Sequence, residues 1–150
     1  MIVYCDGACT GNGSDNSYGG FAVVATSETG EILSTYSKGC RRTSNNKEEI
    51  KAVLYALICF GKMEPTVTVY SDSAYVVNTF NSWVWSWRKR GWLKSDNKTP
   101  ENLDLIQAYC ELYDKGYRIN LRKCAGHSGI PGNELADKMA VAAKEEMKIG

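Results

Sequence analysis

Short apolar runs alternate with longer amphipathic stretches along this chain, and the period of the pattern changes between segments. Residues 2–5 form a continuous apolar run and read as a buried strand. Residues 7–17, rich in Gly, Ser and Asn, read as a loop. Residues 20–26 and 31–39 read as two strands joined by a turn at Glu28-Thr29-Gly30, which predicts an antiparallel meander at the amino-terminal end. Over residues 45–61 the period becomes helical, with Ile50, Val53, Leu54, Leu57 and Ile58 on one face. Gly61 is placed to end that helix in a left-handed conformation. Beyond Pro65, residues 67–71 return to a strand pattern. Helices are predicted at 73–80, 83–88 and 103–113, a strand at 117–124 and a last helix at 133–147.

The order is three strands, a helix, a strand, helices, a strand and a helix. It predicts an α/β fold: a mixed five-stranded sheet with helices packed on it. The first and fourth strands each end Tyr-x-Asp, in Tyr4-Cys5-Asp6 and Tyr70-Ser71-Asp72. Alternation along a strand puts each Asp on the face of its Tyr. If the two strands lie parallel and adjacent, both carboxylates reach one carboxyl edge of the sheet, where open α/β sheets place ligands.

Composition narrows the class. The length of 150 residues suits one domain, residues 1–150, and an apolar fraction of 43% with 23% charged residues suits a globule with a real core. No apolar run approaches the roughly 18 residues of a membrane span. The start, Met1-Ile2-Val3-Tyr4-Cys5-Asp6, lacks the basic head and small-residue cleavage site of a secretory signal, so a cytoplasmic location is expected. Cys5, Cys9, Cys40, Cys59, Cys110 and Cys124 have neither a disulfide-framework spacing nor paired CxxC spacing, and buried reduced thiols are expected. A single histidine excludes a His-rich zinc centre. Net charge is only +1, yet residues 83–98 hold Arg88, Lys89, Arg90, Lys94 and Lys98 against Asp96 alone. A local basic patch on a near-neutral chain points to a polyanion contact.

The chemistry rests on four carboxylates and a histidine: Asp6, Glu49, Asp72, Asp137 and His127. Carboxylates gathered from distant parts of a chain suit hard divalent cations. Two such ions about 3.5–4 Å apart suit phosphodiester hydrolysis. Each residue alone has an ordinary explanation. Asp6 could open a turn, Asp72 could cap a helix, Glu49 and Asp137 could be acids near helix starts, and His127 could be a loop histidine.

Together the segments resemble type 1 ribonuclease H along nearly the full chain. The resemblance is carried by VYCDGACTGNG, TSNNKEEIKAV, VYSDSAYVV, WVWSWRKRGW and AGHSGIPGNELAD, in matching order and spacing. It implies a ribonuclease H-like fold forming a single catalytic domain. It also implies hydrolysis of the RNA strand of RNA/DNA hybrids with Mg²⁺ or Mn²⁺, two ions per site with substrate, leaving 5′-phosphate and 3′-hydroxyl ends. By position, Asp6, Glu49, Asp72 and Asp137 are implied as metal-binding carboxylates. His127 is implied as a loop histidine that aids proton transfer or product release.

The resemblance further implies a basic handle, Trp87, Arg88, Lys89 and Arg90, that grips the DNA strand. The other rings of the cluster, Trp83, Trp85 and Trp92, read mostly as a small satellite core. Asn12, Asn45 and Asn46, with the Cys9 loop, match positions that contact the hybrid backbone. Arg42, Ser44 and Asn102 match a DNA-phosphate pocket, with Ser44 standing in place of a more usual threonine. The loop 13–17 lacks the prolines expected there, and Ala125 replaces a common lysine. A monomer is expected. Two alternatives remain open: a non-catalytic RNA/DNA hybrid-binding module, and a DNA-processing nuclease of the same fold.

Overall fold

The computed structural model describes residues 1–126 and 129–149. A five-stranded sheet runs in the order β3-β2-β1-β4-β5, from β1 (Ile2–Thr10), β2 (Tyr18–Thr26), β3 (Ile32–Arg41), β4 (Thr68–Ser71) and β5 (Asn120–Lys123). The first three strands are antiparallel, while β1 and β4, and β4 and β5, are parallel. The predicted mixed sheet and meander are therefore present. Strand β1 is longer than its apolar run. Residues 7–10, expected in a loop, stay paired with β2 as far as Thr10↔Tyr18. An antiparallel neighbour satisfies the backbone there whatever the side chains are.

One sheet face carries α1 (Asn45–Phe60) and the other α5 (Pro131–Glu146). Val3, Cys5, Phe21, Val23, Ala25 and Val69 meet Ile50, Val53, Ala56 and Leu57 of α1 in the main core. The apolar face of α1 is rotated from the expected one. Ile58 is 53% exposed, and the small Ala52 and Ala56 lie fully buried against the sheet instead. Gly61 is right-handed, at φ −69°, and donates its N–H to the Leu57 carbonyl, so no left-handed cap forms. It is needed for space: a Cβ there would stand 2.7 Å from the Tyr117 ring.

Helices α2 (Ala74–Asn78) and α3 (Val84–Lys89) were expected as separate elements. They are joined by a π-helical turn, Thr79–Trp83. The wider turn carries Phe80 into the core, stacked 4.1 Å from Tyr109 of α4 (Leu103–Asp114). All six cysteines are free thiols, but only Cys5, Cys110 and Cys124 are buried; Cys9 and Cys40 are half-buried and Cys59 is exposed. Among the described residues no helix is long and apolar enough to cross a membrane.

Candidate active site and nucleic-acid interface

The parallel register pairs Tyr4 with Tyr70 and Cys5 with Ser71. The two tyrosine rings stack at 5.7 Å on the α5 side. Asp6 and Asp72 therefore occupy equivalent positions at the point where β4 stops and β1 continues. That is the juxtaposition expected from the Tyr-x-Asp repeats.

Glu49 arrives from α1, and a glycine makes its approach feasible. A Cβ at Gly7 would lie 2.6 Å from the Glu49 nitrogen and 2.8 Å from the Glu48 carbonyl carbon, so only glycine lets the helix come this close. The freed backbone is used at once. The Gly7 N–H donates to Asp6 Oδ1 at 2.9 Å and to Glu49 Oε1 at 2.7 Å. Ser71 Oγ reaches Glu49 Oε2 at 3.4 Å. The start of α1 is fixed by Ser44, whose side chain accepts from the Lys47 N–H.

Carboxylate oxygens of Asp6, Glu49 and Asp72 all lie within 4.8 Å of one another. Asp6 and Glu49 are each only 4% exposed. Burial raises the Asp6 carboxyl to about 7, with further upward pushes from the Asp72 charge and a hydrogen bond to Asp137; the Glu49 and Gly7 hydrogen bonds oppose this. Glu49 is raised well above the carboxylate range by burial and by the Asp6 and Asp72 charges. Two buried acids raised in part by the charge of a third are suited to a hard divalent cation, which would stabilise the charges of Asp6, Glu49 and Asp72 at once. Asp137, in the second turn of α5, touches Asp6 but is not one of the three converging groups. His127 lies outside the described residues. Gly126, just before it, sits against the cluster, and a Cβ there would stand 3.1 Å from Asp72 Oδ2.

The predicted substrate-binding residues flank this edge on two loops. Asn12 Oδ1 accepts the Asn45 N–H at 2.7 Å, and Cys9 Sγ lies 3.6 Å from the Thr43 carbonyl. Arg42 is exposed and left-handed at φ +56°, and Asn102 is left-handed at +59° where α4 begins. Asn46 and Trp87 share a 320 Å³ cavity with Tyr75, Trp83, Lys94 and Glu101. That groove joins the start of α1 to the basic helix. Tyr75 and Glu101, from segments far apart in sequence, were not singled out, because nothing in their local pattern marks them.

On α3, Arg88 is held by a bidentate pair with Asp114 of α4, at 3.0 and 2.6 Å. Arg90 reaches Asn97 Oδ1 at 3.3 Å. Trp85 and Trp92 pack against the main core as expected of a satellite core, and Trp87, expected in the handle, packs against it as well. Trp83 departs from it: the ring is 41% exposed.

Comparison with known proteins agrees with this arrangement. The RNase H family model matches residues 1–145. A ribonuclease H of Agrobacterium fabrum is 37% identical over 146 residues, 97% of this chain and 95% of that protein. Among solved structures, LC9-RNase H1, a type 1 RNase H, is 29% identical over 98% of this chain and 72% of its own, with a TM-score of 0.77. The foamy viral protease-reverse transcriptase solved with an RNA/DNA hybrid is 21% identical and shares the fold at a TM-score of 0.84. It is much longer, and this chain spans 20% of it. With a family match over nearly every residue and a relative of this identity along its whole length, the chain belongs to the ribonuclease H family of endoribonucleases.

Proposed function

We propose that this chain is a single catalytic domain that hydrolyses the RNA strand of RNA/DNA hybrids without sequence preference, leaving 5′-phosphate and 3′-hydroxyl ends. The observation that carries the reading is the convergence of Asp6, Glu49 and Asp72 within 4.8 Å in a chain of the ribonuclease H family. Asp6, Glu49, Asp72 and Asp137 would hold Mg²⁺, or Mn²⁺, as two ions when substrate is bound. Bound divalent cations supply Lewis acidity to the phosphodiester. The protein's own part is positional. The Gly7 N–H fixes one oxygen each of Asp6 and Glu49, which keeps two acids from separate elements aimed at one point. His127 serves proton transfer or product release.

Recognition falls to the flanking loops. Asn12, Asn45, Asn46 and the Cys9 loop face the hybrid's shallow groove, where the ribose 2′-hydroxyl distinguishes RNA from DNA. Ser44 uses its oxygen to cap α1 and keeps its O–H as a donor, so with Arg42 and Asn102 it can bind a DNA phosphate. Lys89, Arg90 and Arg88, with the Trp87 ring, grip the DNA backbone. The protein acts as a cytoplasmic monomer.

The test is cleavage of an end-labelled RNA strand paired with DNA, at millimolar Mg²⁺, beside an RNA duplex and a DNA duplex. Cutting of the hybrid alone is expected, lost with EDTA and in Asp72→Asn. Tight hybrid binding without cutting would replace the reading with a binding module. Cutting of the DNA duplex would replace it with a DNA-processing nuclease.

A further inference from the structure

Beside Glu49, a second glutamate points the other way. Glu48 is fully buried, and its Oε1 has no hydrogen-bond partner among the described residues. Its Oε2 accepts the Thr43 hydroxyl at 2.6 Å and pairs with Lys51 Nζ at 2.8 Å. A buried carboxylate with one oxygen unsatisfied is a poor source of stability, and an apolar side chain of similar volume would avoid its desolvation cost. What the carboxylate adds is direction.

That direction acts on Thr43, which is 3% exposed and has each of its polar atoms in use. Its hydroxyl donates to Glu48, its N–H donates to Ser17 Oγ at 2.9 Å, and its carbonyl accepts the Gly13 N–H at 3.0 Å. The sheet beneath is cut away to receive the pair. A Cβ at Gly19 of β2 would stand 2.8 Å from Thr43 Cγ2 and 3.0 Å from Glu48 Cγ. Thr43 is thus the node that ties the 11–17 loop and the 42–45 segment to the body of α1. On either side of it lie Arg42, in a left-handed conformation costly for a non-glycine residue, and Ser44, the cap of α1.

We infer that Glu48, through Thr43 and with Lys51 as its counter-ion, is a positioning residue for hybrid binding. It holds the two loops in the geometry that presents Asn12, Arg42, Ser44 and Asn45. The inference rests on the proposed function for the roles of those four residues. Glu48 itself touches no substrate and no reacting atom, so its loss should weaken binding and leave the chemical step alone.

The experiment is steady-state cleavage of an RNA/DNA hybrid by the wild type, Thr43→Val, Thr43→Ser, Glu48→Gln and Glu48→Met, with amide hydrogen exchange on the same proteins. Thr43→Val and Glu48→Met are expected to raise KM about tenfold, the size of one missing hydrogen bond, with kcat changed by less than about twofold. Thr43→Ser, which keeps the donor, should restore the wild-type KM, and Glu48→Gln, which keeps the acceptor, should restore part of it. The Gly13 and Thr43 amides should lose protection in Thr43→Val and Glu48→Met while β1 amides keep theirs. Unchanged KM in these two variants, or a loss of kcat at unchanged KM, overturns the inference. If Glu48→Met does not fold, the Thr43 pair decides alone. A wild type that cleaves no hybrid refutes the proposed function instead, and the exchange pattern then still decides the tether.

Discussion

Replacing Asp6 with Asn should stabilise the metal-free protein, and by an amount that depends on pH in a defined direction. In the folded chain the Asp6 carboxyl sits at about 7, against an ordinary 3.8, chiefly because it is buried and then because Asp72 and Asp137 crowd it. Between those values the unfolded chain has released the proton while the folded chain still holds it. The folded state therefore binds more protons, and stability falls as pH rises from about 4 to about 7. At about 1.4 kcal/mol per pH unit, the whole interval is worth about 4 kcal/mol. Because Asp6 and Glu49 share the burden, about 2–4 kcal/mol is the expected penalty at pH 8.

An asparagine imitates the protonated acid and can still accept the Gly7 N–H. Urea or thermal denaturation in EDTA should show Asp6→Asn more stable than the wild type at pH 8 and equal to it at pH 4. For a chain of 150 residues the gain at pH 8 corresponds to roughly 6–12 °C in Tm. If the ion binds the acid cluster as proposed, millimolar Mg²⁺ should raise the Tm of the wild type more than that of the variant, which lacks one of the three acids. A gain of equal size at both pH values, or a loss at both, would refute the account of Asp6 as a buried acid held near like charges.

Gly7→Ala forces α1 away from β1, because the new methyl would lie 2.6 Å from the Glu49 nitrogen. A loss of roughly 1–3 kcal/mol by urea denaturation is expected, together with a lower kcat. Asp72→Asn should abolish cleavage and leave hybrid affinity in a filter-binding or anisotropy titration within about threefold, less than the removal of one hydrogen bond to a charged group. Lys89→Ala with Arg90→Ala should raise KM and flatten its salt dependence by roughly one logarithmic unit of slope for each phosphate that is no longer neutralised; an unchanged slope would remove the handle from the interface. Native-state labelling with a thiol reagent should modify exposed Cys59 first and buried Cys5 last, since burial and the Glu49 and Asp6 charges also push the Cys5 thiol well up; early modification of Cys5 would refute that order.

The order of strands and helices, the long first helix and the meeting of Asp6 with Asp72 were legible in the amino-acid pattern, whereas Glu49 was singled out only by the family resemblance. Those signals are local. A strand ending Tyr-x-Asp announces its own geometry, and two of them in parallel register place Asp6 and Asp72 side by side. The period of α1 was legible too, although its buried face was not. The choice between Ile58 and Ala56 depends on how closely the sheet approaches, and at this sheet the small residue wins.

The remaining features arise in three dimensions, wherever two distant segments share an atom. Gly7 reads in sequence as a loop residue. Only the arrival of α1 shows that its missing side chain admits Glu49 and that its N–H serves two acids. Glu48 and Glu49 are consecutive and chemically identical, yet one faces the acid cluster and the other is buried against Thr43 and Lys51. No pattern of hydrophobic period separates them. Their roles differ because a helix turns by about 100° per residue, and the surroundings of each carboxylate are supplied by strands and loops remote in the chain.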